Sequence, residues 1–207
     1  MKKLDAVYCL NLTRRVDRWE KFQDLWKNID IDIERFPAID AEKINFGPEV
    51  EDEWHSKASL GCALSHIQML ERSLYCGHKE IMILEDDATP CENFEEKFEE
   101  YYAQLPEDYK FCFLGGSNMV PPEMITENIG RALKTKSTVA YLIKLEFAVS
   151  LIQTIKHNLS RMAVDEIYEA LQNSQVFHIF NPRLIHQFES YSDIIKRDIY
   201  YHWMRDI

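Results

Sequence analysis

The chain is poor in the residues that mark extended or low-complexity proteins. It has six glycines and seven prolines in 207 residues, and no internal repeat. That composition excludes collagen-like and disordered classes. No apolar run approaches the roughly 20 residues that a membrane-spanning helix needs. No signal-peptide pattern opens the chain, because Met1-Lys2-Lys3 leads straight into a strand-like segment. The five cysteines (Cys9, Cys62, Cys76, Cys91 and Cys112) are odd in number, widely spaced and without a CxxC pair. Neither a disulfide framework nor a zinc site is expected from them, and they read as reduced, buried thiols of a cytoplasmic protein. Positive charge is scarce: 24 basic residues face 35 acidic ones, a net charge of -11. A nucleic-acid binder would normally carry a basic face, and a polybasic hold on anionic lipid is equally disfavoured. A P-loop of the GxxxxGK type is also missing, which counts against phosphoryl transfer on that scaffold.

What is present is an ordinary globular composition, 46% hydrophobic and 29% charged, at a length that suits one domain. Strand-like and helical patterns alternate along it. Leu4 to Leu12 reads as a strand. A helix follows in which Val16, Trp19, Phe22, Trp26 and Ile29 recur every three or four residues. Ile31 to Ile39 reads as a second strand broken by Pro37, and Asp40 to Lys57 as an irregular loop. A long helix spans about Ala58 to Cys76 and is closed by Gly77. Its main stripe of Leu60, Ala63, Leu64, Ile67, Leu70 and Leu74 runs beside a second row of Ser59, Cys62, His66, Met69 and Ser73. Thr89-Pro90-Cys91-Glu92 has the form of a capping box opening a further helix. Lys110 to Leu114, Ser137 to Lys144, Val176 to Phe180 and Arg183 to His186 read as strands. Leu145 to Leu159 and Val164 to Asn173 read as helices, and a polar, aromatic tail ends the chain. The alternation predicts an α/β class with a mainly parallel sheet.

The stretch Ile81-Met82-Ile83-Leu84-Glu85-Asp86-Asp87 carries the most chemistry. Four apolar residues suit a buried strand, and three acids then emerge at its C-terminal edge, where open α/β sheets place ligands. Strand alternation would put Glu85 and Asp87 on one side and Asp86 on the other. Such a cluster repels itself unless a cation or polar ligand compensates it; an acidic loop after a strand is the plainer alternative. Asn11 falls at a strand end, with Arg14 and Arg18 one turn apart at the start of the next helix. That placement suits a diphosphate contact, or simply a solvated helix surface. With carboxylates dominating, magnesium or manganese is favoured over zinc.

Several segments together resemble one known family. Tyr8-Cys9-Leu10-Asn11-Leu12 with Arg14, Arg15, Arg18 and Trp19 is similar to the opening signature of glycosyltransferase family 25. Phe36-Pro37-Ala38-Ile39-Asp40-Ala41 resembles its second block. Gly61-Cys62-Ala63-Leu64-Ser65-His66 resembles its G-C-x-L-S-H helix, and Ile83-Leu84-Glu85-Asp86-Asp87 its ILEDD motif. Phe113-Leu114-Gly115-Gly116, Ala140-Tyr141-Leu142-Ile143, Val164-Asp165 and Ser192-Asp193-Ile194 follow in the family's order, so the resemblance spans nearly the whole chain.

The resemblance implies a single GT-A-type domain and an inverting, metal-dependent transfer of a hexose, galactose or glucose above all. The donor would be a UDP-sugar, the cofactor Mn2+ or Mg2+, and the acceptor a lipid-linked oligosaccharide, a lipopolysaccharide core or a protein hydroxyl. By the same analogy Asp87 ligates the metal, Asp86 holds ribose hydroxyls or the metal, and Glu85 supports both. Asp165 is the expected base, in competition with Asp193 and Glu166; a first-turn helix acid is the plainer reading. His186 is a further metal ligand or a satisfied strand histidine, and His66 a structural histidine. Gly115 and Gly116 leave room for the donor sugar or simply form a turn. Acceptor choice is expected in loops such as Asp40 to Lys57 and Val120 to Thr135, with peripheral membrane association through the acceptor. The alternative function is a catalytically inactive relative that keeps the fold as a binding or assembly partner.

Overall fold

A computed structural model describes residues 4–44, 57–159, 161–194 and 196–199. Its frame is a mixed sheet built on an alternation that the sequence makes compulsory. In β1 (Ala6–Leu12), β3 (Glu80–Glu85), β5 (Phe111–Asn118) and β8 (Thr135–Lys144), successive side chains enter opposite cores. Tyr8, Ile81, Ile83, Phe111, Phe113, Tyr141 and Ile143 enter one core. Val7, Cys9, Met82, Leu84, Cys112, Leu114, Ala140 and Leu142 enter the other. Where a strand is covered on both faces a polar side chain lacks water, so Val7 to Leu10, Ile81 to Leu84, Phe111 to Leu114 and Val139 to Ile143 read as unbroken apolar runs.

Helices supply the two covers. The first core is completed by α2 (Lys57–Tyr75), α4 (Leu145–Asn158) and α5 (Val164–Leu171). The second is completed by α1 (Val16–Trp26) and α3 (Phe94–Tyr102), through Phe22, Trp26, Phe94 and Phe98. The remaining strands of the main sheet are β2 (Glu34–Ala38), β6 (Glu123–Met124), β7 (Ile129–Arg131) and β9 (His178–Phe180). Its order is β2-β1-β3-β8-β5-β9-β7-β6. β1 pairs parallel with β2 and β3, and β5 with β9; β8 and β7 run against their neighbours. The expected α/β architecture is therefore present, with a reversed strand, β8, at its centre. Pro37 sits in β2 opposite Asn11 and is tolerated because β2 is an edge strand. Gly77, at φ +73°, closes α2 with bonds from its own N–H to Leu74 and from His78 N–H to Ser73.

Three local expectations are corrected. The capping box at Thr89-Pro90-Cys91-Glu92 does not form. Ala88–Pro90 is instead a strand, β4, paired antiparallel with β10 (Ile185–Gln187), and α3 begins only at Phe94. Cys91 N–H donates to Leu184 O, so the partner strand takes the backbone that a helix would have used. The segment Val120 to Thr135, read as a loop, contains the β6–β7 hairpin that extends the sheet. The tail forms a second hairpin, β11 (Ser190–Ser192) with β12 (Arg197–Ile199). Residues 45–56 of the loop expected at Asp40 to Lys57 lie outside the described residues. The cysteines are all unpaired as expected, but only Cys9 and Cys112 are buried, and Cys76 is exposed.

Gly115 and Gly116 are corrected as well. A Cβ on Gly115 would stand 2.2 Å from Ile185 O, and one on Gly116 would stand 2.8 Å from Thr135 Cγ2 and 3.0 Å from Lys136 O. The chain itself fills the space that was expected to receive a sugar. Gly115 lets β10 lie directly on β5, which carries Gln187 toward the edge of β3. Gly115→Ala should therefore cost about 1–3 kcal/mol, as overpacking a tight backbone contact does. Urea unfolding followed by circular dichroism would measure it, and an unchanged midpoint would refute the contact's role.

Candidate active site

β3 ends at Glu85, and that ending decides how the three acids are distributed. While alternation lasts, Glu85 points toward α2, whose His66 Nε2 lies 3.7 Å from its carboxylate, and Thr138 Oγ1 of β8 donates to it. Asp86 points the other way, toward α1. Beyond the strand alternation lapses, and Asp87 joins Asp86 rather than Glu85, contrary to the expected pattern. One guanidinium nitrogen, Arg18 Nη2, lies 2.7 Å from a carboxylate oxygen of each. Asn11 Nδ2 donates to the second oxygen of Asp86 at 2.5 Å. Gln187 Nε2 reaches the same Asp87 oxygen as Arg18, at 3.3 Å. The other oxygen of Asp87, Oδ1, is buried and accepts no hydrogen bond.

The electrostatics follow from burial. Asp87 is pushed up to about 7, chiefly by burial, with Arg18 pulling the opposite way and Glu85 and Asp86 adding repulsion. Burial likewise raises Asp86 against the pull of Arg18 and Asn11. For Glu85 burial is outweighed by His66, Thr138 and Arg18, and its carboxyl stays below the usual range. Asp165, in the first turn of α5, is raised by burial and by Glu166, with Lys136 opposing. Burial also acts on Asp193, but hydrogen bonds from Arg14 and Arg15 outweigh it and hold that carboxyl low.

These groups share one cavity of about 450 Å3, within the usual size for a small-molecule site. Seven carboxylates line it (Asp40, Glu42, Glu85, Asp86, Asp87, Asp165 and Asp193) against three cations, Arg14, Arg18 and Lys136. Two of those cations are engaged by acids of the cavity itself: Arg14 with Asp40 at 3.1 Å and Asp193 at 2.8 Å, and Arg18 as above. Lys136 pairs with Glu169 at 3.3 Å. Acids thus outnumber bases in the cavity, and a bound cation would relieve their repulsion. The orphaned Asp87 Oδ1 is the atom best placed to meet a hard divalent ion, whereas both oxygens of Asp86 already have partners.

Of the residues expected from the sequence, Arg14, Arg18, Glu85, Asp86, Asp87 and Asp165 line this cavity. Asn11 lies behind it, 1% exposed, holding Asp86. Arg18 grips the acids rather than standing open for a phosphate. His186 does not line the cavity; its neighbour Gln187 faces the acids, and strand alternation turns His186 the other way. Gly115 and Gly116 stand outside as well. Glu166 Oε2 accepts the Ala163 N–H and so works as a cap, and Asp193 is held by two arginines; of the three candidate bases, Asp165 lines the cavity with neither tie. Sequence reading missed Gln187 and Thr138. For Gln187 the sequence showed that only one of two consecutive strand residues can face the acids, but not which of them. The G-C-x-L-S-H block acquires physical reasons: Gly61 lets α2 approach Ile39 O, where a Cβ would stand 2.8 Å away, and Ser65 Oγ accepts the Ile39 N–H at 2.8 Å. Gln187, Ser190, Ser192, Asp193, Ile194 and Ile199 close the cavity from the C-terminal side.

The pH response of Asp87 has a definite sign. Its folded value, about 7, lies above the unfolded 3.8, so in that interval the folded protein holds a proton that the unfolded chain has lost. Stability is fullest on the acid side and declines as pH rises through about 7. Asp87→Asn should flatten that decline, measured as thermal midpoints between about pH 5 and about pH 8. Parallel curves for the two proteins would refute the assignment.

The family model described as "Glycosyltransferase family 25 (LPS biosynthesis protein)" matches residues 4–168. A "Glycosyltransferase 25 family member" of Drosophila melanogaster is 29% identical over 72% of this chain and 28% of its own length. "Procollagen galactosyltransferase 2" of Homo sapiens is 22% identical over 82% of this chain and 30% of its own. A Bos taurus protein named "Probable inactive glycosyltransferase 25 family member 3" is 25% identical over 90% of this chain and 35% of its own. The chain thus spans about a third or less of the length of these curated relatives. With the match running from β1 through the acids of β3 to Asp165, the chain belongs to glycosyltransferase family 25.

Proposed function

We propose that this chain transfers a hexose from a UDP-sugar to a hydroxyl of a glycan or glycoconjugate, with inversion at the anomeric carbon and with Mn2+ or Mg2+ bound. The observation that carries the reading is the orphaned Asp87 Oδ1, buried at the rim of a cavity whose carboxylates outnumber its cations. Asp87 would hold the metal through that oxygen, with Asp86 beside it. A bound divalent ion supplies positive charge opposite the departing diphosphate. Arg18 keeps the two acids together and in place while the cavity is empty of cation. Asn11 fixes Asp86 through a bond that leaves it little freedom to turn.

Asp165 would take the acceptor hydroxyl's proton. Its raised affinity for protons, owed first to burial, moves it toward the value a base needs near neutral pH. Arg14 is the more exposed of the two expected arginines, and a diphosphate could exchange for its carboxylate partners. The human relative's name points to galactose as the first sugar to try. The five unpaired thiols suit a reducing compartment. Among the described residues no helix is long and apolar enough to cross a membrane, so contact with a lipid-linked acceptor would be made from the surface.

A screen of UDP- and GDP-sugars with and without manganese, read as nucleotide release, tests the proposal. UDP-galactose or UDP-glucose should turn over with the metal and stop when it is chelated. Asp165→Asn should lower kcat by about 10²–10⁴-fold and leave donor affinity within a fewfold. Asp87→Asn should abolish the metal dependence in a protein that still folds. Failure of every donor to bind in calorimetry would instead favour the non-catalytic reading, which the name of the bovine relative makes concrete.

A further inference from the structure

The groove between α2 and the end of β3 holds a cluster in which Cys62 and His66 have no part in the proposed sugar transfer. Cys62 and His66 lie four residues apart on α2 and so share one helix face. Opposite them stands Glu85. One ligand atom from each (thiol, imidazole nitrogen and carboxylate oxygen) lies within 4.8 Å of the other two. His66 is fully buried, yet its Nε2 makes no hydrogen bond and is aimed at Glu85 from 3.7 Å. A buried ring nitrogen in that state has a vacancy that a cation can fill.

The other ring nitrogen is already fixed. His66 Nδ1 bonds Tyr141 Oη at 2.8 Å, and Tyr141 Oη in turn meets Tyr168 Oη at 3.2 Å. Metal-bound histidines usually have this kind of outer partner, which sets the tautomer and the ring plane. With Nδ1 as donor to the phenol, Nε2 presents its lone pair to the groove.

We infer that Cys62 Sγ, His66 Nε2 and a Glu85 carboxylate oxygen form a three-ligand site for a borderline-soft divalent cation, with Zn2+ as its natural occupant. The donor set decides the metal: thiolate and imidazole select zinc over magnesium or calcium, which take oxygen. The dimensions agree. Zinc bonds of about 2.0–2.3 Å in a tetrahedron hold ligand atoms roughly 3.3–3.8 Å apart. The His66–Glu85 separation of 3.7 Å already has that value, and the thiol needs to move by about an ångström. Cys62 and Glu85 both line the large cavity, so the fourth coordination position opens toward it. The site differs from the one at Asp86 and Asp87, which offers oxygen alone. Binding displaces the Cys62 thiol proton to solvent and forms one metal–sulfur bond, with no redox change.

The experiment uses the tag-free chain with Co2+ as a spectroscopic stand-in and Zn2+ in competition. Co2+ should give a near-ultraviolet thiolate-to-cobalt absorption at one equivalent, and Zn2+ should abolish it. Cys62→Ser, a small change at a half-buried position, should remove that band and weaken Zn2+ by at least about tenfold, the lower end of what even an outer-shell change costs. The Asp86→Asn, Asp87→Asn double variant should keep the band. A band that survives in Cys62→Ser, or no band in the folded native chain, overturns the site, as does a band lost in the double variant alone. The absorption is read without any donor sugar, so this outcome is independent of whether the chain transfers one.

Discussion

One guanidinium nitrogen holds two buried carboxylates side by side, and much of the site depends on it. Asp86 and Asp87 follow directly in the chain and cannot separate, so without Arg18 their charges would face each other in a poorly solvated place. Breaking such an arrangement by removing one partner commonly costs about 3–5 kcal/mol, because it strands a buried charge. The requirement reaches outward. Arg18 can deliver Nη2 at 2.7 Å to both acids only if α1 begins where it does, and Phe22 and Trp26 anchor that helix in the second core. Asn11 crosses from β1 to fasten the outer oxygen of Asp86. Three elements thus converge on two side chains, and the register of the parallel β1–β3 pair is part of the site's geometry.

Much of the frame was legible in the sequence, and for a definite reason. The central strands are covered on both faces, so Ile81 to Leu84 and Phe111 to Leu114 had to be continuous apolar runs; no other arrangement buries such stretches within the length of a strand. Helix α1 showed its period because one side lies against a core; α2 showed two rows because it is buried on more than one side, with Gly61 and Ser65 against Ile39 and with Ile67 and Leu70 in the first core. The acids of β3 stood out because four buried residues give way to three charges without an intervening turn residue. Their gathering with Arg14, Arg18 and Asp165 around one cavity follows from that edge.

What escaped was decided by partners distant in the chain. Thr89-Pro90 looks like a helix start because capping chemistry is local, and β10, almost a hundred residues later, claims the same backbone for a strand pair. Gly115 and Gly116 look like space for a ligand because a missing side chain is all that sequence displays. Only the placement of Ile185 O, Thr135 and Lys136 shows who occupies the gap. His186 and Gln187 differ by one position, and a strand of three residues has too short a period to announce its phase. Asp87 changed sides for a similar reason, since nothing in Glu-Asp-Asp indicates where pleating stops.

The cavity is assembled from two kinds of material. Its floor, with the acids of β3 and Asp165 on α5, falls inside the stretch matched by the family model, while Gln187 and the hairpin beyond it come from residues past the end of that match. A binding site divided in this way can keep its reacting groups constant and vary its roof. The tail is fastened by β10 on β5 and β4, by the Phe188 N–H on Asp87 O, by Lys21 over the Phe188 ring, by Arg15 on Tyr191 O, and by Asp193 on Arg14 and Arg15. Between those rivets, changes of length or side chain could retune what enters beside the donor without disturbing the chemistry beneath.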